Sequence, residues 1–234
     1  MYFSELLPTI VERKERLRVA RQIVAVLWDF WSPKKLKYSK VLDIGCSSGI
    51  ITDFVEKFVT SIVGIDVDVK VLPKRKNFIV MDATKLEFRP NSFDIVICNQ
   101  IYYWFAKPQK LMNEIYRVLK PGGICYFTHV NKYALFEPQY RLPFLSWMSK
   151  RVGSTYVRLT GRAQSYDCQY LDFWELEKLC NKFIVHHYTP KILHDPNSFS
   201  FTRVPKFLHV PMSFWKILEP LSPNLIWVLE KRAK

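Results

Sequence analysis

The sequence predicts an α/β protein, a set of parallel strands with helices on both faces. Two observations carry that expectation. Short β-rich runs (KVLDIG, SIVGIDV, NFIVMDA, FDIVICN, GICYFTHV) follow one another between Lys40 and Val130, separated by helical stretches or turns. The 234 residues are 49% apolar and 24% charged, an ordinary globular composition long enough for one large domain or a domain plus an insertion.

Four regions follow in order. Residues 1–37 hold an amphipathic helix and a linker. From about Ser4 to Trp31, the residues Leu17, Ala20, Val24, Leu27 and Trp31 recur at three- and four-residue steps, with RKERLR on the other side. Ser32-Pro33 ends the helix and KKLKYSK links it onward. Such a basic helix can lie on a membrane or pack against the next domain, and packing is the more common use.

Residues 38–131 form the alternating core. KVLDIG is a buried strand, CSSG a loop and IITDFVEKFV a helix, with SIVGIDV, NFIVMDA and FDIVICN as further strands. The piece between Asp66 and Asn77 is short and contains proline, so a turn or abbreviated helix is expected there. PQKLMNEIYRVLK reads as a helix stopped by PGG before the strand GICYFTHV. Residues 132–165 break the pattern with six basic side chains, one acid (Glu137) and six aromatics, an insertion placed where a lid over an acceptor would sit.

Residues 166–234 complete the sheet. DFWELEKLCN is a helix with Asp172 and Glu175 at near capping-box spacing and Asn181 as a left-handed stop. FIVHHYT and LIWVLEKR are late strands. The stretch between them, with Pro196, Pro205, Pro211, Pro220 and Pro223, should be mostly irregular with one short helix around SFWKILE.

A formal charge of +14 suits an anionic partner such as nucleic acid, an acidic membrane or a phosphorylated compound, and equally a solvated basic surface. The five cysteines are odd in number with no CxxC pair, and the histidines lack metal-ligand spacing, so neither a disulfide framework nor a metal site is expected. IVAVLWDFW is too short to span a bilayer, and Glu5 and Glu12 interrupt any signal-peptide pattern. A reducing, cytoplasmic setting is the expectation, with peripheral membrane contact as an addition.

The chemistry is concentrated at strand ends. A dinucleotide-binding turn needs GxGxxG, but counting from Gly45 its later glycine positions hold Ser47 and Ile50. Asp43 just before the turn would also repel a pyrophosphate. A ligand with an ammonium, a ribose and an adenine but no phosphate fits better. Asp43 can orient the ammonium or brace the loop, while Gly45 and Gly49 allow close backbone approach. Asp66, twenty-one positions after Gly45, can accept both ribose hydroxyls. Asp82-Ala83 can meet the adenine, and Asn99-Gln100 face the reactive centre.

VLDIGCSSG, GIDVD, MDATKLEF, FDIVICNQIYYW and EIYRVLKPGG resemble, in order and spacing, the class I S-adenosylmethionine-dependent methyltransferases, especially the small-molecule group called type 11. The resemblance covers roughly residues 38–130. It implies a doubly wound, Rossmann-like seven-stranded sheet, mostly parallel with the last strand antiparallel, and S-adenosylmethionine as cofactor. It also makes Asp43, Gly45, Cys46, Ser47 and Gly49 the methionine-side loop, Asp66 and Val67 the ribose contacts, Asp82 and Ala83 the adenine contacts, and Asn99 and Gln100 the wall near the sulfonium. Ser47 departs from the family's second glycine.

No metal is implied. His129, ending the fifth strand, is the first candidate for a base, with a hydrogen-bonded structural role equally open; His186 and His187 are weaker candidates. Tyr102, Tyr103 and Trp104 should wall the acceptor pocket. Cations mixed with large apolar groups in 132–165 suit a small or amphipathic, anionic or lipid-like acceptor. The alternatives are a methyltransferase acting on RNA or another nucleic acid, and a non-catalytic S-adenosylmethionine-binding protein. The first lacks support, because the fourth strand ends CNQIYY without the Asn/Asp-Pro-Pro-aromatic turn of base-amino methyltransferases.

Overall fold

The computed structural model describes residues 13–201 and 211–233. Its first helix, α1 (Arg13–Phe30), sets its apolar stripe against the sheet, burying Ala20, Ile23, Val24, Val26 and Leu27. That packing uses the face a membrane would need, so the described part of this helix belongs to the core; residues 4–12 of the expected helix lie outside the described residues. Ser32-Pro33 ends α1 and also starts a second helix, α2 (Pro33–Lys37), within the expected linker. Ser32 accepts from the Lys35 N–H and Pro33 occupies the first turn, the usual serine-cap and proline-first signals.

The core then alternates as read: β1 (Lys40–Ile44), α3 (Ile50–Val55), β2 (Ser61–Asp66), β3 (Phe78–Val80), β4 (Phe93–Asn99), α4 (Pro108–Val118) and β5 (Leu119–Val130). Turns alone connect β2 to β3. The strand after α4 begins earlier than expected, at Leu119, and its pairing with β4 shifts register across Pro121-Gly122-Gly123. Lys120 precedes a proline and so disfavours the helical region. At Gly123 a Cβ would meet the carbonyl oxygens of Lys120 and Asp94, so only glycine lets the strand pass there.

The insertion folds as a small hairpin, β6 (Phe136–Glu137) with β7 (Leu142–Pro143), followed by α5 (Lys150–Leu159). Then come α6 (Phe173–Leu179), β8 (Ile184–His187), α7 (Thr189–His194), α8 (Met212–Leu218) and β9 (Asn224–Glu230). The Asp172–Glu175 capping box forms in both directions. Asn181 is not the left-handed stop expected of it, because α6 ends at Cys180 with φ −92° and Phe183 N–H closes a turn on the Cys180 carbonyl. The proline-rich stretch contains α7 as well as the anticipated helix, since Pro190 falls in the first turn where its missing N–H costs nothing.

One seven-stranded sheet results, in the order β3-β2-β1-β4-β5-β9-β8. The last strand in the chain, β9, inserts antiparallel between β5 and β8, and the other six run in one direction. Alternate residues face opposite layers. Val41, Ile95, Ile97, Ile124 and Val228 pack on α1 and α3, whereas Leu42, Val96, Cys125, Phe127 and Trp227 pack on α4 and α6. All five cysteines are buried thiols. Among the described residues no helix is long and apolar enough to cross a membrane.

Candidate active site

A cleft of about 340 Å³ opens at the carboxyl ends of β1, β2 and β4, within the size range of small-molecule sites. Its floor is the loop after β1. Gly45, Ser47 and Gly49 all have positive φ (73°, 49° and 75°), which coils the backbone tightly. A Cβ on Gly45 would lie 2.7 Å from Ile101, and one on Gly49 2.6 Å from the Phe78 ring, so both positions need glycine. Ser47 adopts the same left-handed region with a side chain, at a cost of roughly 1–2 kcal/mol.

Asp66 ties this loop to β2. One carboxylate oxygen accepts the Ser47 N–H and the other the Asp68 N–H, both at 2.9 Å. A carboxylate has about four lone-pair sites, so a free site remains on each oxygen, pointing the way for a vicinal diol. Val67, Met81 and Ala83 supply an apolar wall beside it. Asn99 is held by Thr128, whose hydroxyl donates to its Oδ1 at 2.7 Å, leaving the amide N–H groups to face the cleft. Gln100, with φ 56°, turns the chain away from β4 and also lines the cleft.

Asp43, Cys46, Gly49 and Asp82 lie outside the cleft wall. Asp43 is wholly buried beneath the loop, accepting a 2.6 Å hydrogen bond from Thr52 Oγ1. Burial pushes its carboxyl up to about 7, against the opposing effects of that hydrogen bond and of Arg16. Asp82 caps a turn instead, accepting from both the N–H and the hydroxyl of Thr84 at 2.8 Å.

Arg16 and Glu15, which sequence reasoning missed, line the cleft from α1. Arg16 is the one cation in its wall among the described residues, and Asp43 and Asp66 are its leading anionic neighbours. The basic run RKERLR was visible, but only the docking of α1 reveals which of its cations turns inward.

At the other end the walls are Ile101, Tyr103, Trp104, Phe105 and, from the insertion, Pro138 and Gln139. Tyr103 is buried and hydrogen-bonded to Gln139, and burial raises its phenol so that it stays protonated. Tyr102 does not reach the cleft; its hydroxyl accepts the Leu171 N–H at 3.0 Å inside the core. The expected base is also displaced. His129 has no exposure and is enclosed by the rings of Phe127, Trp227 and Tyr102, with burial pushing it down to about 3. A neutral imidazole sealed in the core cannot take a proton from an acceptor in the cleft. His186 pairs with Glu230 on the sheet's far edge.

Behind the wall, Glu137 is fully buried and anchors the insertion. It accepts from the Tyr170 hydroxyl and, at 2.6 Å, from the Tyr140 N–H. Tyr170 in turn packs its ring 4.9 Å from Tyr103.

A doubly wound sheet with an acid, a tight loop and a nucleoside-sized cleft at its carboxyl edge defines a nucleoside-binding α/β domain that lacks a phosphate turn. Residues 42–127 match the methyltransferase domain family, and the chain shares the fold of solved S-adenosylmethionine-dependent methyltransferases. Among curated proteins it is 29% identical over 124 residues to the biotin biosynthesis bifunctional protein BioHC of Cellvibrio japonicus, covering 50% of this chain and 24% of that protein. It is 27% identical over 104 residues to the ubiquinone biosynthesis O-methyltransferase of Aliivibrio fischeri, covering 40% and 44% respectively. The match thus spans less than half the length of either relative. Among solved structures, the PH0226 protein from Pyrococcus horikoshii aligns with a TM-score of 0.58 at 18% identity, over 96% of this chain and 94% of that one. A phosphoethanolamine N-methyltransferase from Haemonchus contortus, in complex with S-adenosyl-L-methionine, aligns at 0.54 and 22% identity, over 91% and 52%.

Proposed function

We propose that the protein transfers a methyl group from S-adenosylmethionine to a small amphipathic acceptor that associates with membranes. The observation that carries the cofactor reading is Asp66, whose carboxylate is fixed by two backbone N–H groups at the cleft edge with acceptor capacity to spare. When bound, S-adenosylmethionine supplies a methyl group on a sulfonium that departs as a neutral thioether. The chain holds the adenosine through Asp66, Val67, Met81 and Ala83. Arg16 would take the amino-acid carboxylate, since it is the cation lining the cleft, and Asp43 acts from beneath the loop through Arg16 and Thr52.

Tyr103, Trp104, Phe105, Pro138 and Gln139 hold the acceptor in line and keep water out. Positioning of that kind can lower a barrier by up to about 7–11 kcal/mol. Among the described residues no side chain of the acceptor wall offers a carboxylate or imidazole, which supports an acceptor whose attacking atom needs little help, or one whose proton leaves to solvent. Relatives named for ubiquinone biosynthesis support a small-molecule acceptor. Apolar and aromatic walls support an amphiphile over a nucleic-acid base.

Asp66→Ala should weaken S-adenosylmethionine binding at least ~100-fold in calorimetry, the loss of two charge-assisted hydrogen bonds. Undiminished affinity would overturn the cofactor reading. Label from methyl-tritiated donor, incubated with cell extract, should enter the lipid-extractable fraction; label in nucleic acid would refute the acceptor class.

A further inference from the structure

The outer face of the insertion is apolar where a water-facing surface should not be. In β6 the alternation of the strand sends Glu137 inward to Tyr170 and leaves Phe136 outward, 67% exposed. Around it lie Leu135 (57% exposed), Phe144 (47%) and Trp147 (49%). They form one patch: the Phe144 N–H donates to the Leu135 carbonyl at 2.8 Å, Phe136 pairs with Pro143, and the Phe144 and Trp147 rings meet edge-on at 5.2 Å. Tyr133, also exposed, continues it with its ring 6.3 Å from that of Trp147. Five such side chains expose on the order of 500 Å², at the upper end of what monomers leave to solvent.

The backbone is strained into this shape. Phe144 and Arg141 have φ of 56° and 52°, a left-handed conformation that residues with side chains rarely adopt. Both side chains point to solvent, so burial in the core gives no return for that strain.

Charge identifies the partner. The insertion, residues 132–165, carries Lys132, Arg141, Lys150, Arg151, Arg158 and Arg162 against the single acid Glu137, which is buried. The outward side of α5 interleaves Arg151 and Arg158 with exposed Val152 and Leu159. Aromatic and aliphatic groups flanked by exposed cations match the boundary of an anionic bilayer, where rings enter the headgroup layer and Lys and Arg stay at the phosphates. We propose that this face, centred on Phe136, Phe144 and Trp147, docks the protein on an anionic lipid surface. Pro138 and Gln139, two and three residues past Phe136, line the cleft, so docking would bring the acceptor end of the cleft to the lipid; that purpose, unlike the docking itself, rests on the methyltransferase reading.

The test is co-sedimentation of the full chain with phosphatidylcholine vesicles with and without phosphatidylglycerol, at low salt. Binding should require phosphatidylglycerol and weaken at least about tenfold in Phe136→Ser/Phe144→Asn, where asparagine tolerates the left-handed backbone. It should weaken comparably in Lys150→Glu/Arg151→Glu. S-Adenosylmethionine affinity should be unchanged in both variants, which separates a failure of docking from a failure of the cofactor site or of folding. The proposal is overturned if the wild type ignores phosphatidylglycerol vesicles, or if both variants bind as well as the wild type. It is also overturned if the patch variant instead abolishes a self-association seen by sedimentation velocity, or if single-stranded RNA displaces the protein from vesicles.

Discussion

The two ends of the cleft are built on opposite plans. At the cofactor end the backbone does the work: glycine-dependent coils at Gly45 and Gly49, and one carboxylate, Asp66, holding loop and strand together. At the acceptor end side chains do it, with the phenol of Tyr103 and the amide of Gln139 held in front of a buried Glu137–Tyr170 pair. A backbone-built site is intolerant of any added atom and indifferent to most side-chain chemistry. A site built from side chains can be re-cut for another acceptor as long as its buried anchor stays paired.

The largest test of this contrast uses the buried titratable groups under each end. Asp43, raised to about 7, keeps its proton in the folded state over a range where the unfolded chain has lost it, so its contribution falls as pH rises between about 4 and 7. His129, lowered to about 3, does the reverse: the unfolded chain binds the proton first, and its contribution falls as pH drops from about 6.5 toward 3. The two oppose one another across the same window. In urea titrations, the stability of the wild type relative to Asp43→Asn should therefore decline with pH, by up to ~4 kcal/mol between pH 4 and 7. A constant difference would show that Asp43 ionises normally and is not sealed beneath the loop.

Glycine gives the next test. Gly49→Ala should cost about 3 kcal/mol, combining a clash with Phe78 and a disfavoured φ. Gly161, at the end of the insertion's helix, has φ 67° but open space around it, so Gly161→Ala should cost only about 1 kcal/mol. Equal losses in thermal unfolding would remove the distinction between a packed loop and a permissive one.

The anchor of the acceptor end lies between these. Glu137→Ala strands the Tyr170 hydroxyl and the Tyr140 N–H, so about 2 kcal/mol of stability should go. Donor affinity should change less than about threefold, because the hydrogen bonds of Glu137 run to Tyr140 and Tyr170, on the acceptor side. A large loss of donor affinity would mean the two ends are one cooperative unit.

The sequence by itself determined the order of strands and helices, the coiled loop after β1, and the acid at the end of β2. Each is local: a β-rich run, a glycine that must accept positive φ, and a residue at a strand tip are decided within a few neighbours. It also held the capping box of α6, since Asp172 and Glu175 interact across a single turn. Tertiary structure alone decided which charged and aromatic residues face the ligand. Arg16 reaches the cleft because α1 buries its other side on the sheet, while Tyr102 is lost from it because Leu171, after the insertion, closes over it, and His129 because Tyr102 and Trp227 of β9 enclose its ring. Those outcomes depend on how separate elements dock. Docking is set by the summed burial of many apolar side chains distant in sequence, and no local pattern encodes that sum.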